Sequence, residues 1–210
     1  MLELFHSGGP LMYPLLACSV IALTVVIERA VFWAGVEYHR RRELVDEVLE
    51  LSRTDRLAAV REKVAGCRDY VIRILISGIL HRDFSPAKAM EAAAADEMQR
   101  MRRFMGVLDT MITVAPLLGI LGTVVGIISS FEMLETAGIE EPGKVTAGIA
   151  QALITTATGL SIAIFSVFPY NYFNARAENA ALNIEKYATS LEIIFQKTAE
   201  QTPDRATAKS

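Results

Sequence analysis

The chain has 210 residues, a formal charge of −3 and 52 % hydrophobic residues. That hydrophobic share exceeds the level of an ordinary soluble domain. The near-neutral charge, with no basic-aromatic patch, gives no reason to expect a nucleic acid partner.

In chain order, residues 1–10 end in a Gly-Gly-Pro breaker and are expected to lie on the periplasmic side. Residues 11–34 form the first apolar span. Crossing a hydrocarbon core takes roughly 20 residues at about 1.5 Å rise each, and this run is long enough. Its only charges are Glu28 and Arg29, which are expected to be interfacial or paired. A secretory signal would start with basic residues, whereas this start has Glu3 and no Lys or Arg. The apolar run also continues past Leu15-Leu16-Ala17-Cys18, so the reading is a retained span.

Residues 35–105 read as a cytoplasmic helical segment with basic clusters at both ends: Arg40, Arg41 and Arg42, then Arg100, Arg102 and Arg103. Helical periodicity runs through Leu44, Val45, Val48 and Leu49, and again through Val71, Ile74, Leu75 and Ile79. Gly66 and the Asp83–Pro86 stretch mark breaks, with Ser85 at an N-cap and Pro86 at the first helical position. The Ala-rich run 87–95 predicts one helix that continues through Met98 and Met101 into the second span. Cys18 falls in a span and Cys67 in this segment, so a disulfide between them is not expected.

The second span covers 106–131 and the third 145–173. The 132–144 loop between them carries Glu132, Glu135, Glu140 and Glu141 against one base, Lys144. The Lys/Arg bias sets orientation, placing 35–105 inside and the loop outside, with the N-terminus out and the C-terminus in. Beyond 173 the spacing of Ala181, Ile184, Leu191 and Ile194 predicts an amphipathic cytoplasmic helix over 174–198. A disordered tail is expected over 199–210. The fold class is therefore an all-α membrane protein, three transmembrane helices extended by long cytoplasmic helices.

The second and third spans hold more small and hydroxyl residues than a lipid-facing helix needs. Gly119, Gly122 and Gly126 in one, and Gly148, Ala152 and Gly159 in the other, sit at spacings that let another helix approach closely. Thr123, Thr155, Thr156 and Thr158 are costly at membrane depth unless partnered. They form either a polar path or ordinary helix packing with hydroxyls bonded back to their own helix. Gln151 needs polar company, with Thr155 and Thr158 on its side of the helix. Thr156 points about 140° away from it and is expected to face a different neighbour.

Enzymatic signatures are weak. Gly138 to Lys144 fits the spacing G-x-x-x-x-G-K, but Val145 follows where Ser or Thr belongs, and two glutamates would repel phosphate. His6, His39 and His81 show no metal-ligand spacing. No nucleophile–base or paired-carboxylate arrangement can be argued. The expectation is a protein that is not an enzyme and uses neither cofactor nor metal.

Ala115-Pro116 through Gly119, Gly122, Thr123, Gly126 and Ile127 resembles the second-span signature of the MotA/TolQ/ExbB family. Gly148 through Gln151, Thr155, Thr156, Gly159 and Leu160, followed by Tyr170-Asn171, resembles its third-span signature. Val26 to Arg29 and the long cytoplasmic insert also match, and three spans fit ExbB and TolQ rather than the four-span flagellar branch.

The resemblance implies an inner-membrane proton channel subunit that forms a pentamer around a dimer of ExbD/TolR-like single-span partners. Each partner would carry an intramembrane Asp, and work would pass to a TonB- or TolA-like protein. It also implies that Thr123 and Thr156 belong to the ion pathway, with Gln151 and Thr155 beside them. Pro116, Gly119, Gly122, Gly126, Gly148, Ala152 and Gly159 would line the partner helix.

Two departures matter. Gln151 stands where the family commonly has Glu, and Gln cannot titrate, so the titrating group would come from the partner. The family's proline after the third-span small-residue run is replaced by Phe165, with Pro169 four residues later. Gln and Thr oxygens would also suit Na⁺, and a membrane scaffold without conduction is the reading from another class.

Overall fold

The computed structural model describes residues 8–54, 56–64, 66–137 and 142–207. Every element among them is a helix: α1 (Met12–Tyr38), α2 (Arg42–Arg53), α3 (Leu57–Lys63), α4 (Tyr70–Leu80), α5 (Pro86–Met101), α6 (Met105–Ala137) and α7 (Pro142–Thr207). Three of these, α1, α6 and α7, contain stretches long and apolar enough to cross a membrane. Only 22–28 % of each apolar stretch is buried within the chain. In water that much exposed apolar surface would drive aggregation; in a bilayer it faces lipid or neighbouring chains.

The chain divides into two compact units. One joins the chain up to Ala30 with Phe104–Asn174; the other joins Val31–Arg103 with the chain from Ala175.

In the first unit, α1 buries a stripe of Met12, Leu15, Cys18, Ala22 and Val25 at three- and four-residue intervals. Two small clusters hold it. Met12 and Leu15 meet Ala115, and Ala22 and Val25 meet Leu108. The opposite face of α1 exposes Leu16, Val20, Leu23 and Ile27. Arg29 is fully buried near the end of this stripe, and its guanidinium donates to the Glu28 carboxylate at 2.5 and 2.6 Å. The expected pairing at this position is therefore present, with a deeper arginine than the sequence suggests.

The second unit is built on the α4–α5 hairpin. Tyr70, Val71, Ile72, Ile74, Leu75 and Ile79 of α4 are buried, so this helix is apolar on most sides and covered accordingly. Asp69 caps it, its carboxylate accepting from Val71 N and also from Arg41 N, both at 2.8 Å. One buried side chain thus fixes the starts of α4 and α2 together. At the hairpin turn Ser85 occupies the N-cap of α5 with Pro86 at N1, though its hydroxyl makes no cap bond. Arg73 crosses from α4 to Glu97 of α5 at 2.7 Å. Beyond Asn174, α7 buries Ala177, Ala180, Ile184, Leu191 and Ile194. Ala180 takes the place expected for Ala181, because 177, 180, 184 and 191 keep one face in register.

Three further departures from expectation have physical causes. The helix predicted to run unbroken from the Ala-rich segment into the second span is interrupted over Arg102–Phe104. Phe104 adopts φ 63°, a left-handed conformation that no α-helix can continue through. The Met98 carbonyl is taken by Arg102 N and the Phe104 carbonyl starts α6 by accepting from Leu108 N. Next, α6 runs to Ala137 and α7 opens at Pro142, so both helices extend into the expected 132–144 loop. The G-x-x-x-x-G-K stretch lies partly outside the described residues. Finally, α7 continues past 198 to Thr207 without a break, since extending an existing helix avoids the cost of nucleation.

Candidate functional site: the α6–α7 seam

Within the first unit, α6 and α7 run antiparallel in close contact, and glycine sets the distance. A methyl group at Gly119 would lie 3.1 Å from Thr156 Cα, and one at Gly122 2.6 Å from Thr155 Cβ. At Gly126 it would lie 2.8 Å from Ala152 Cβ and 3.1 Å from the Gly148 carbonyl. A methyl on Gly148 would overlap Ser130 Oγ, and one on Gly159 would overlap the Ala115 carbonyl. Six of the seven residues expected to line a partner helix, all but Pro116, therefore form the seam between this chain's own two spans. Pro116 sits half-buried inside α6. Having no N–H, it leaves the carbonyl one turn earlier without its helical donor.

The threonines divide into two kinds. Thr155 is almost fully buried, its hydroxyl donating to Gln151 O at 2.7 Å and Ala152 O at 3.2 Å. Thr158 donates to Ile154 O at 2.8 Å and Thr123 to Ile120 O at 2.6 Å. These bonds stay within one helix. Thr156 differs, its hydroxyl crossing to Gly119 O of α6 at 2.8 Å. The absence of a Cβ at Gly119 is what lets Thr156 come this near. Ser130 lies at the other end of the seam, buried and bonded to Gly126 O at 2.8 Å.

Gln151 is half-buried, and its amide lies against the backbone of Gly9, where any side chain would collide with Nε2. Gly9 has φ +70°, a conformation that suits glycine. Gln151 and Thr156 thus face different neighbours, as their separation around the helix requires. Asp109 is exposed near the start of α6, in keeping with a position at the edge of the apolar layer. From Thr110 to Phe131 and from Thr146 to Pro169 the sequence contains no titratable side chain.

A cavity of about 480 Å³ lies between α1 and α7 in the same unit, where Ser19 and Ala22 face Thr158, Ser161 and Ser166. On the α7 side its hydroxyls are bonded back to their own helix: Thr158 to Ile154 O at 2.8 Å, and Ser161 to Ala157 O and Ser166 to Ile162 O, both at 2.7 Å. Among the described residues no group of His, Cys, Asp and Glu is placed to hold a metal ion.

Sequence reasoning missed the buried Arg29, the double use of Asp69 and the Arg73–Glu97 pair. Asp69 had a readable signal, an N-cap residue directly before an apolar periodic run. Arg73 and Glu97 are far apart in sequence and gave none.

Residues 73–186 match the model of the MotA/TolQ/ExbB proton channel family. The chain is 36 % identical to "Putative biopolymer transport protein ExbB-like 1" of Synechocystis sp., over 94 % of this chain and 80 % of that protein. It is 30 % identical to "Putative biopolymer transport protein ExbB-like 3" of the same organism, over 97 % of this chain and 99 % of that protein. With "Tol-Pal system protein TolQ" of Pseudomonas aeruginosa the identity is 35 % over 56 % of this chain and 51 % of the relative. The match takes in the stretches of α6 and α7 that form the seam, and this chain, with its three membrane-spanning helices, belongs to the MotA/TolQ/ExbB proton channel family.

Proposed function

We propose that this chain is the multi-pass subunit of a proton-driven motor in a bacterial inner membrane, its N-terminus outside and its C-terminus in the cytosol. The observation that carries the reading is the chemistry of the seam. Hydroxyls and backbone carbonyls cluster between α6 and α7, yet neither apolar stretch offers a group that can bind and release a proton. A relay through the seam alone has no carrier. The carrier is then an intramembrane carboxylate on a single-span partner of the ExbD/TolR type, enclosed by several copies of this chain, a pentamer in the family's pattern. Thr123, Gln151 and Thr156, with waters, would hydrate that carboxylate as it protonates, while Thr155, buried in the seam, would hold the two spans together. Relatives named for biopolymer transport and for the Tol-Pal system favour work delivered to a TonB- or TolA-like protein. Each proton moving down 100 mV supplies about 2.3 kcal/mol.

The test is pH-driven proton flux in proteoliposomes, with this chain alone and with its single-span partner. Flux with the partner only, abolished when the partner's Asp becomes Asn, is expected. Equal flux without any partner would overturn the reading, and flux that follows Na⁺ instead would change the ion but keep the motor.

A specific observation favours a second reading, a membrane scaffold. The hydroxyls of Thr123, Thr155 and Thr158 are satisfied within their own helices, which is all that packing requires. Absence of flux under both conditions selects it.

A further inference from the structure

The unit formed by Val31–Arg103 and the chain from Ala175 contains a cleft of about 450 Å³ that plays no part in the motor reading. His39 at the end of α1, Arg68, Tyr70 and Arg73 around the start of α4, and Glu97 and Arg100 of α5 line it. Its charge is unbalanced. Three guanidiniums face one carboxylate, and Glu97 Oε1 is shared, 2.7 Å from Arg73 and 3.8 Å from Arg100. Counting the other charged groups that act on Tyr70, namely Arg40, Arg42, Glu37 and Asp69, leaves five arginines against three acids. Asp69 is turned to backbone, its carboxylate occupied by Val71 N and Arg41 N.

Independently of charge, Tyr70 is 4 % exposed, and its hydroxyl is buried with no hydrogen-bond partner among the described residues. A buried hydroxyl without a partner is costly, and a ligand oxygen in the cleft would satisfy it. Burial pushes the Tyr70 phenol up, so it keeps its proton at neutral pH and can donate. His39 Nδ1 lies 2.8 Å from Gly35 O. A carbonyl only accepts, so Nδ1 carries the proton and Nε2 is the atom left for a ligand.

We propose that this cleft binds a phosphate-bearing anion, with Arg68, Arg73 and Arg100 supplying the positive field and the Tyr70 hydroxyl donating a hydrogen bond. Guanidinium forks match phosphate oxygens in pairs, and Glu97 pre-orients two of the three. A phospholipid headgroup and a soluble phosphate share this chemistry.

The full chain, purified in detergent without phosphate and also placed in phosphatidylcholine nanodiscs, separates the two sources. Its unfolding midpoint is followed against added inorganic phosphate, and against phosphatidic acid doped into the discs. A saturable rise with inorganic phosphate assigns a soluble ligand. A rise with phosphatidic acid alone assigns a headgroup. No rise with either overturns the proposal. Tyr70→Phe removes one oxygen, and Arg68→Gln removes an exposed charge outside the Glu97 pair. Each is expected to weaken binding roughly tenfold with helical content unchanged. Wild-type affinity in both variants would overturn the site.

Discussion

The two units of this chain cohere by opposite means. In the unit of spans, glycine makes the α6–α7 contact close: Gly119, Gly126, Gly148 and Gly159 lie against backbone and Gly122 receives the Thr155 side chain, while Leu117, Ile128, Leu153 and Phe165 are exposed. In the other unit, Ile72, Ile74, Leu75, Met101 and Leu191 are almost wholly enclosed, and charged pairs such as Arg73–Glu97 lie at the rim. The difference follows from the solvent. Lipid offers no hydrophobic reward for burying leucine, so close packing and interhelical hydrogen bonds must hold the spans. Water rewards burial at about 25 cal/mol per Å², so the second unit buries its large residues.

That contrast can be broken from either side. Leu75→Ala opens a cavity in the second unit and is expected to cost about 2–5 kcal/mol. Limited proteolysis should show cleavage spreading through 35–103 while the spans stay protected; equal loss of protection in the spans would merge the two units into one cooperative block. Gly159→Ala is next. Its methyl group meets the Ala115 carbonyl, backbone that no rotamer change can move aside, and about 1–3 kcal/mol should be lost. Gly106→Ala is the control, with nothing within 4 Å of the added atom, and should be neutral or slightly stabilising. A matching loss at both positions would mean that helix flexibility, not contact, is what glycine supplies.

Thr156→Val keeps the shape and deletes the interhelical bond to Gly119 O, at a cost of about 0.6–1 kcal/mol. Assembly should survive, and proton flux with the partner should fall several-fold if the hydroxyl serves the pathway. Unchanged flux would leave Thr156 a packing residue. The smallest effect concerns Tyr70. Its proton is held more tightly in the folded chain than in the unfolded one, chiefly through burial. The stability this contributes is full below the ordinary tyrosine range near pH 10 and is lost as pH rises toward the raised value. Alkaline unfolding monitored by circular dichroism should therefore be shallower in Tyr70→Phe than in the parent chain.

Much of this was legible in the residues. The spans announce themselves because charges stop at Arg29, Asp109 and Glu132. The buried face of α4 follows from Val71, Ile74, Leu75 and Ile79. The seam was legible only in part. Small residues state that some helix comes close, and they do not state which; here Gly119 and Gly122 receive Thr156 and Thr155 of the same chain. The break before α6 had no signal at all, because Phe104 is neither Gly nor Asn, the residues that commonly take such a conformation. The anion cleft was likewise hidden, since Arg68, Tyr70 and Glu97 converge only through the hairpin.

The discontinuity of the two units bears on how the chain is made. Each draws on segments separated by dozens of residues, so neither is complete until α7 leaves the ribosome. The α4–α5 hairpin, rich in local contacts, can form early. Gly78 and Met90 nevertheless await Leu191, which packs 3.5 Å from the position of a Gly78 methyl. Until then that apolar surface is open to chaperones and to other nascent chains. Because both units draw on it, α7 is thus the seal on each, and quality control of this protein should be most exacting before that helix has emerged.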